Sequence, residues 1–145
     1  MKIRDFEDSD AEQMDELHKK LYPIQFHPEY KEKIDFSQKS FEAKLITKVL
    51  EENGKLIGYV VAVYMKIGSM KMGEFWDLFI EEPYRKKGYG SQLLKAIEVE
   101  LRSLGADYFS VWVDPDPGDE DPTSFYEKNG YKVSKHPGLS KKLGS

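Results

Sequence analysis

The residues most able to do chemistry lie in one run, Arg85-Lys86-Lys87-Gly88-Tyr89-Gly90-Ser91. It follows the apolar stretch Asp77-Leu78-Phe79-Ile80 and a Glu81-Glu82-Pro83 turn, and it leads into a helical pattern from about Ser91 to Leu104. A strand that passes through a glycine-rich turn into a helix presents backbone N–H groups that have no acceptor inside the helix. With the helix dipole, these donors favour an anion, typically a phosphate. Gly88 and Gly90 carry no Cβ to hold such a group away, and Arg85, Lys86 and Lys87 add positive charge. On glycine spacing alone, a tight strand-to-helix turn with a solvated basic face explains the run equally well. Two familiar phosphate loops are excluded. The pattern G-x-x-x-x-G-K-[ST] is missing, and G-x-G-x-x-G fails because Leu93 stands three residues after Gly90.

Two carboxylates, Glu74 and Asp77, sit in the strand that feeds this loop. Strand alternation puts them on opposite faces unless a bulge intervenes. Further on, Asp114-Pro-Asp-Pro-Gly-Asp-Glu-Asp121 holds five acidic residues in eight. A calcium loop wants acidic residues at its first, third and fifth positions and Glu at its twelfth. Counted from Asp114, Gly118 is fifth and Phe125 twelfth, so a solvated acidic loop that can attract a cation describes it better. His18, His27 and His136 are scattered and form no metal-ligand pair, so no metal is expected. Trp76 and Trp112 fall in strand patterns and are expected in the core.

The elements that must position these groups can be followed along the chain. Ile3–Phe6 reads as a first strand. Ser9 with Glu12 reads as a capping box for a helix whose apolar stripe is Met14, Leu17 and Leu21. Pro23 and Pro28 bracket an irregular aromatic stretch with Tyr22, Phe26 and Tyr30. A second helix is expected after Ser37, with Phe41, Leu45 and Val49 on one face. Asn53-Gly54 is a two-residue hairpin signal joining a short strand near Val49–Glu52 to a long one, Lys55–Lys66. Gly68–Gly73 turns the chain into a strand over Glu74–Ile80. The next helix carries Leu93, Leu94, Ile97, Leu101 and Leu104 at helical spacing and ends on Gly105. A strand over Asp107–Val113, a short helix opened by Asp121-Pro122 and closed by Gly130, and a strand over Tyr131–Ser134 complete the pattern.

Composition bounds the function. The 145 residues make one domain, 1–145, long enough for a core of its own. An aromatic content of 13% argues against disorder. No apolar run approaches the ~18 residues of a membrane span, and Met1-Lys2-Ile3-Arg4-Asp5 is too polar for a signal peptide. The absence of cysteine excludes disulfides, zinc–thiolate sites and Cys nucleophiles, and fits a reducing, cytoplasmic setting. A net charge of −4 disfavours a nucleic-acid partner.

Two motifs at the right separation go further. Arg85-x-x-Gly88-x-Gly90 matches the [Q/R]-x-x-G-x-[G/A] signature, and Phe125-Tyr126-Glu127-Lys128-Asn129-Gly130-Tyr131 matches an F-Y-E-K-x-G-[F/Y] segment. In both, the chain resembles the GNAT superfamily of acetyl-CoA-dependent N-acetyltransferases. The resemblance implies an α/β domain whose central, mostly antiparallel sheet has its fourth and fifth strands splayed and is flanked by helices. It implies acetyl-CoA as cosubstrate and direct attack by a primary amine. Backbone groups of Leu78, Phe79 and Ile80 would pair with the pantetheine arm. Backbone amides of Arg85, Lys86, Lys87, Gly88, Tyr89, Gly90 and Ser91 would hold the pyrophosphate. Tyr126 matches the family's general acid. Glu74, eleven residues before Arg85, resembles the strand-four base of the histone-type members; Asp77 and a water chain remain the alternatives. Where relatives often carry Asn seven residues before that tyrosine, this chain has Asp119. The acceptor wall is expected in Leu21–Phe36, with Tyr22 and Phe26 beside Asp77, and the acceptor is expected to be cationic. A homodimer is admitted, and a non-catalytic acyl-CoA sensor on the same fold is the rival reading.

Overall fold

The computed structural model describes residues 1–21, 33–34, 41–111, 123–133 and 139–143. In chain order the elements are β1 (Lys2–Asp5), α1 (Ala11–Leu21), β2 (Lys33–Ile34), β3 (Phe41–Glu52), β4 (Lys55–Ile67), β5 (Met70–Ile80), α2 (Tyr89–Ser103), β6 (Tyr108–Val111), α3 (Thr123–Lys128), β7 (Lys132–Val133) and β8 (Leu139–Lys142). They form one mixed sheet in the order β1-β3-β4-β5-β6-β8-β7, with β2 also pairing β3. β5 and β6 run parallel, and the other pairs described are antiparallel. This is the α/β architecture with a mostly antiparallel sheet that the family resemblance implied. Among the described residues no helix is long and apolar enough to cross a membrane.

The sheet is covered on both faces. α2 lays Leu93, Leu94, Ile97 and Leu101 against Ile46, Leu50, Val60 and Ala62. α1 lays Met14 and Leu17 against Leu45, Val49, Tyr59 and Val61 on the other face. β4 is consequently buried without interruption from Leu56 to Tyr64, as a central strand between two layers must be.

The helix expected after Ser37 is instead strand β3, paired with β4 along its length. The spacing of Phe41, Leu45 and Val49 satisfies a helical step of four and an even strand step alike. Ile46 and Leu50 fill the opposite face, and β-branched Ile46, Thr47 and Val49 favour an extended backbone. The Asn53-Gly54 hairpin forms as expected, with both residues in the left-handed region.

The entry to α1 also differs. A 3₁₀ turn over Asp8–Asp10 precedes the helix, and the capping carboxylate belongs to Asp10: it accepts the Glu7 N–H at 2.8 Å. Ser9 is exposed. Arg4 grips Asp10 with both terminal nitrogens, at 2.7 and 2.9 Å, which ties α1 to β1 and holds the Asp10 carboxyl below its usual range. The turn expected over Gly68–Gly73 is shorter, since β4 runs to Ile67 and β5 starts at Met70.

The strand expected over Tyr131–Ser134 is the two-residue β7, and a strand not foreseen, β8, lies between it and β6. A buried carboxylate anchors this end. Glu98 on α2 accepts from Tyr131 Oη at 2.9 Å and from Lys141 Nζ at 3.1 Å. The Asp121-Pro122 helix start, the Asp114–Asp121 segment and Trp112 fall outside the described residues.

Candidate active site

The site lies along β5, beyond its last described pair with β6. β5 and β6 pair at three positions, Met72 with Tyr108, Gly73 with Phe109 and Glu74 with Ser110. Beyond Glu74, β5 continues to Ile80 against β4 alone among the described strands. Among the described residues the other edge of β5 is therefore unpaired from Phe75 to Ile80. Of the expected three, Leu78 and Ile80 direct their backbone groups to that edge, Phe79 directs its own to β4, and the Ile80 carbonyl accepts from Arg85 Nε at 2.7 Å.

A bulge lies at this point. Asp77 pairs with Val61 and Phe75 with the next residue, Ala62, so Trp76 is supernumerary. Val61 belongs to the α1 layer and Ala62 to the α2 layer. The bulge thus turns Asp77 toward α1 while Phe75 packs toward α2. Glu74 pairs with Val63, which shares Val61's layer, so Glu74 and Asp77 end on the same face. Trp76 is 49% exposed and is not in the core as expected, because a bulged residue has no place in the alternation.

On the α2 face lies Tyr126, 7% exposed, at the centre of an aromatic cluster. Its ring meets Phe75 edge-on at 5.6 Å, Phe125 at 5.1 Å and Tyr131 at 5.9 Å. Phe125 packs on the first turn of α2: a Cβ on Gly90 would come within 3.1 Å of its ring. Gly90 thus lets α3 approach, a packing role where the sequence suggested room for an anion. Gly88 is the residue that fits the anion reading. It caps α2 with φ +87°, and among the described residues nothing beyond its chain neighbours lies within 4 Å of where its Cβ would stand. At this position the backbone before the first turn of α2 is bare of side chains, which is compatible with an anion at the helix N-terminus. Lys86 is also left-handed, with φ +62°, and the side chains of Arg85, Lys86 and Lys87 are exposed. Tyr89 and Ser91 are half-buried in the first turn.

On the α1 face three polar groups from three elements meet. Tyr59 Oη donates to Asp77 Oδ2 at 2.9 Å, and His18 Nε2 lies 3.3 Å from the same oxygen. Burial pushes the Asp77 carboxyl up to about 6, against the Tyr59 and Leu78 hydrogen bonds that lower it. Burial pushes His18 below its ordinary value. Sequence reasoning missed both His18 and Tyr59. The available signal was the stripe of α1: His18 stands four residues after Met14, a polar group in an apolar row.

The fold therefore gathers the loop, the edge of β5, Tyr126, Glu74 and Asp77 around this part of β5. Tyr22 and Phe26 lie outside the described residues. Glu74 is half-buried at the last paired position of β5 with β6. Among the described residues no group of His, Asp and Glu side chains is placed to hold a metal. Around β5 the described residues thus present an unpaired strand edge, the Gly88 turn at its end, and Asp77 and Tyr126 in the layers on its two faces.

No curated protein matches the chain in sequence. Solved structures do match it in fold. An aminoglycoside 6'-N-acetyltransferase complexed with coenzyme A superposes with a TM-score of 0.71 at 18% identity, over 100% of this chain and 98% of that one. The aminoglycoside 6'-N-acetyltransferase of Enterococcus faecium gives 0.74 at 19% identity, over 100% and 98%. The PaiA N-acetyltransferase of Thermoplasma acidophilum, in complex with coenzyme A, gives 0.68 at 19% identity, over 97% and 98%. At the level of sequence families, the model for the acetyltransferase (GNAT) family matches residues 11–131, which takes in β5, the loop and Tyr126. The chain belongs to that family.

Proposed function

We propose that the protein is an N-acetyltransferase that moves the acetyl group of acetyl-CoA to a primary, cationic amine by direct attack. The observation that carries this reading is the unpaired edge of β5 among the described residues, with the bare Gly88 turn at its end and Asp77 and Tyr126 flanking β5 from opposite faces. In this reading the N–H groups from Lys86 to Ser91 bind the pyrophosphate, that of Arg85 being given instead to the Glu82 carbonyl at 3.2 Å, and the unpaired edge at Leu78 and Ile80 meets the pantetheine arm.

An alkylammonium of pKa about 10 must lose a proton before it can attack. Of the two carboxylates on the acceptor face, Asp77 has the burial and the raised pKa of a general base working near neutral pH. Glu74 stands on the same face of β5 and adds a second negative charge to draw the acceptor in. Tyr126 is the proposed donor to the departing thiolate. The aminoglycoside enzymes among the structural neighbours act on amine-rich cations, which supports the cationic acceptor. A chain without cysteine suits the cytoplasm, where this reaction is proposed to run.

The test is thiol release from acetyl-CoA across polyamines, aminoglycosides, lysine peptides and neutral amines. A cationic amine should be the best acceptor, with turnover falling as salt rises. Binding of acetyl-CoA without turnover on any amine would make the protein an acyl-CoA sensor instead.

A further inference from the structure

The acetyl-transfer reading uses Asp77 and gives no task to the groups that hold it. His18 lies on the sheet-facing side of α1 and is 5% exposed. It reaches Asp77 Oδ2 from one element while Tyr59 reaches the same oxygen from another. The imidazole and phenol rings stack, 6.4 Å apart and 26° from parallel. Around them the layer is hydrocarbon: Met14, Leu17, Val61 and Phe79. Burying polar groups there is costly unless each is paired, so a purely structural layer would gain by filling the space with apolar side chains. Beside this cluster α1 is pinned again, by Lys20 Nζ on Glu81 Oε1 at 2.5 Å, one residue past the end of β5.

We infer that His18 is a positioning residue for the proton acceptor, donating its Nε2–H from α1 to Asp77 so that the carboxylate is held in one orientation and kept ionised. The catalytic consequence rests on the acetyl-transfer reading; the coupling of the two side chains does not. A carboxylate only accepts hydrogen bonds, so an imidazole beside it must carry its proton on Nε2. The charged and titratable groups around Asp77 in the described residues are few. From α1 come His18 and Asp15, the latter paired to Lys19 at 3.6 Å; from β4 comes Tyr59; from β5 comes Glu74. Asp15 attracts a proton to His18, and burial opposes it more strongly. Nε2–H can donate to the carboxylate without the ring carrying a net charge.

Two variants separate this role from packing. His18→Phe fills the space and removes the donor. His18→Gln replaces the ring by an amide whose Nε2 offers a donor of similar reach. In substrate-free protein, the Asp77 carboxyl carbon is followed by NMR against pH and assigned with Asp77→Asn. The acid limb of kcat/KM is followed with the best amine of the acceptor panel. In His18→Phe both inflections should move up together by about one pH unit, a tenfold change in proton affinity, with kcat/KM recovering at high pH. In His18→Gln both should stay within a few tenths. In the wild type the His18 Nε2 resonance should respond at the Asp77 inflection, a readout that stands even where His18→Phe does not fold. An Asp77 inflection unmoved in a folded His18→Phe protein, or a His18 resonance blind to Asp77, overturns the coupling. A wild type that turns over no amine removes the acetyl-transfer reading and the catalytic half of the inference with it.

Discussion

Arg85 folds back onto the strand that precedes it: its Nε donates to the Ile80 carbonyl at 2.7 Å. The guanidinium also lies over the Phe79 ring, 5.4 Å from its centre. The first residue of the Arg-x-x-Gly-x-Gly signature thus ties the loop to the end of β5. In arginine and in glutamine alike, this nitrogen is bonded to Cδ. A glutamine at this position can therefore offer a donor to the same carbonyl.

Arg85→Ala and Arg85→Lys should therefore weaken acetyl-CoA binding threefold to tenfold, about 1 kcal/mol for one lost hydrogen bond. Arg85→Gln should stay within about twofold of the wild type. Calorimetric titration decides it, and a lysine variant that binds better than the glutamine variant would assign the effect to charge.

Gly88→Asp should lower acetyl-CoA affinity by at least tenfold, about 1.4 kcal/mol or more. Two effects contribute: a side chain on the bare turn and a negative charge beside the pyrophosphate. Gly88→Asn tests them apart, since Asn tolerates the left-handed backbone that Gly88 adopts at φ +87°. The Asp variant should bind worse than the Asn variant, and the gap should close at high salt. Unchanged affinity in the Asp variant would take the loop out of the binding site.

Tyr126→Phe keeps the ring contacts with Phe75, Phe125 and Tyr131 and removes the hydroxyl. As proton donor to the thiolate, Tyr126 should then matter for turnover, with kcat down by ~10²-fold, the low end for general acid catalysis. A thiol with a pKa near ~8.5 is already a fair leaving group, which keeps the effect modest. Acetyl-CoA affinity should change by less than about 1 kcal/mol. Normal turnover would leave Tyr126 as a packing residue.

Asp77 sets stability and activity against each other. Its carboxyl sits near 6 in the folded protein, above the ordinary carboxylate value. A folded-state pKa raised above the unfolded one makes a contribution that is full below pH ~4 and is lost as pH rises through about 6. Above that, the buried charge costs a few kcal/mol. Asp77→Asn should therefore melt at a higher temperature than the wild type at pH 7.5 and gain nothing at pH 4, while acetyl transfer falls by ~10²-fold or more. Melting curves at the two pH values check the sign.

What the sequence made legible was local. The α2 stripe, its Gly105 end and the Asn53-Gly54 turn depend on neighbours in the chain, and they fold as the spacing indicates, α2 starting at Tyr89 rather than at the expected Ser91. What it hid depends on partners far away. Trp76 is a bulge only because Val61 and Ala62 pair with residues on either side of it, and no property of Trp76 announces that. The same bulge decides which face Asp77 joins. His18 resembled a stray histidine because Asp77 and Tyr59, which give it meaning, come from two other elements. Strand β3 was misread because both of its faces are buried, which erases the alternation that marks a strand.

The interleaving of β8 between β6 and β7 has a consequence for how the molecule is made. Among the described residues β7 pairs with the sheet only through β8, yet it leaves the ribosome first. The growing chain cannot add its strands in the order of synthesis; Lys132–Val133 must wait for Leu139–Lys142 to dock on β6. Until Lys141 arrives, Glu98 on α2 also lacks its closest cation. The helix that follows the Gly88 turn is thus completed by a late-arriving strand, and a nascent chain cut short at Val133 would be expected to hold that helix less firmly.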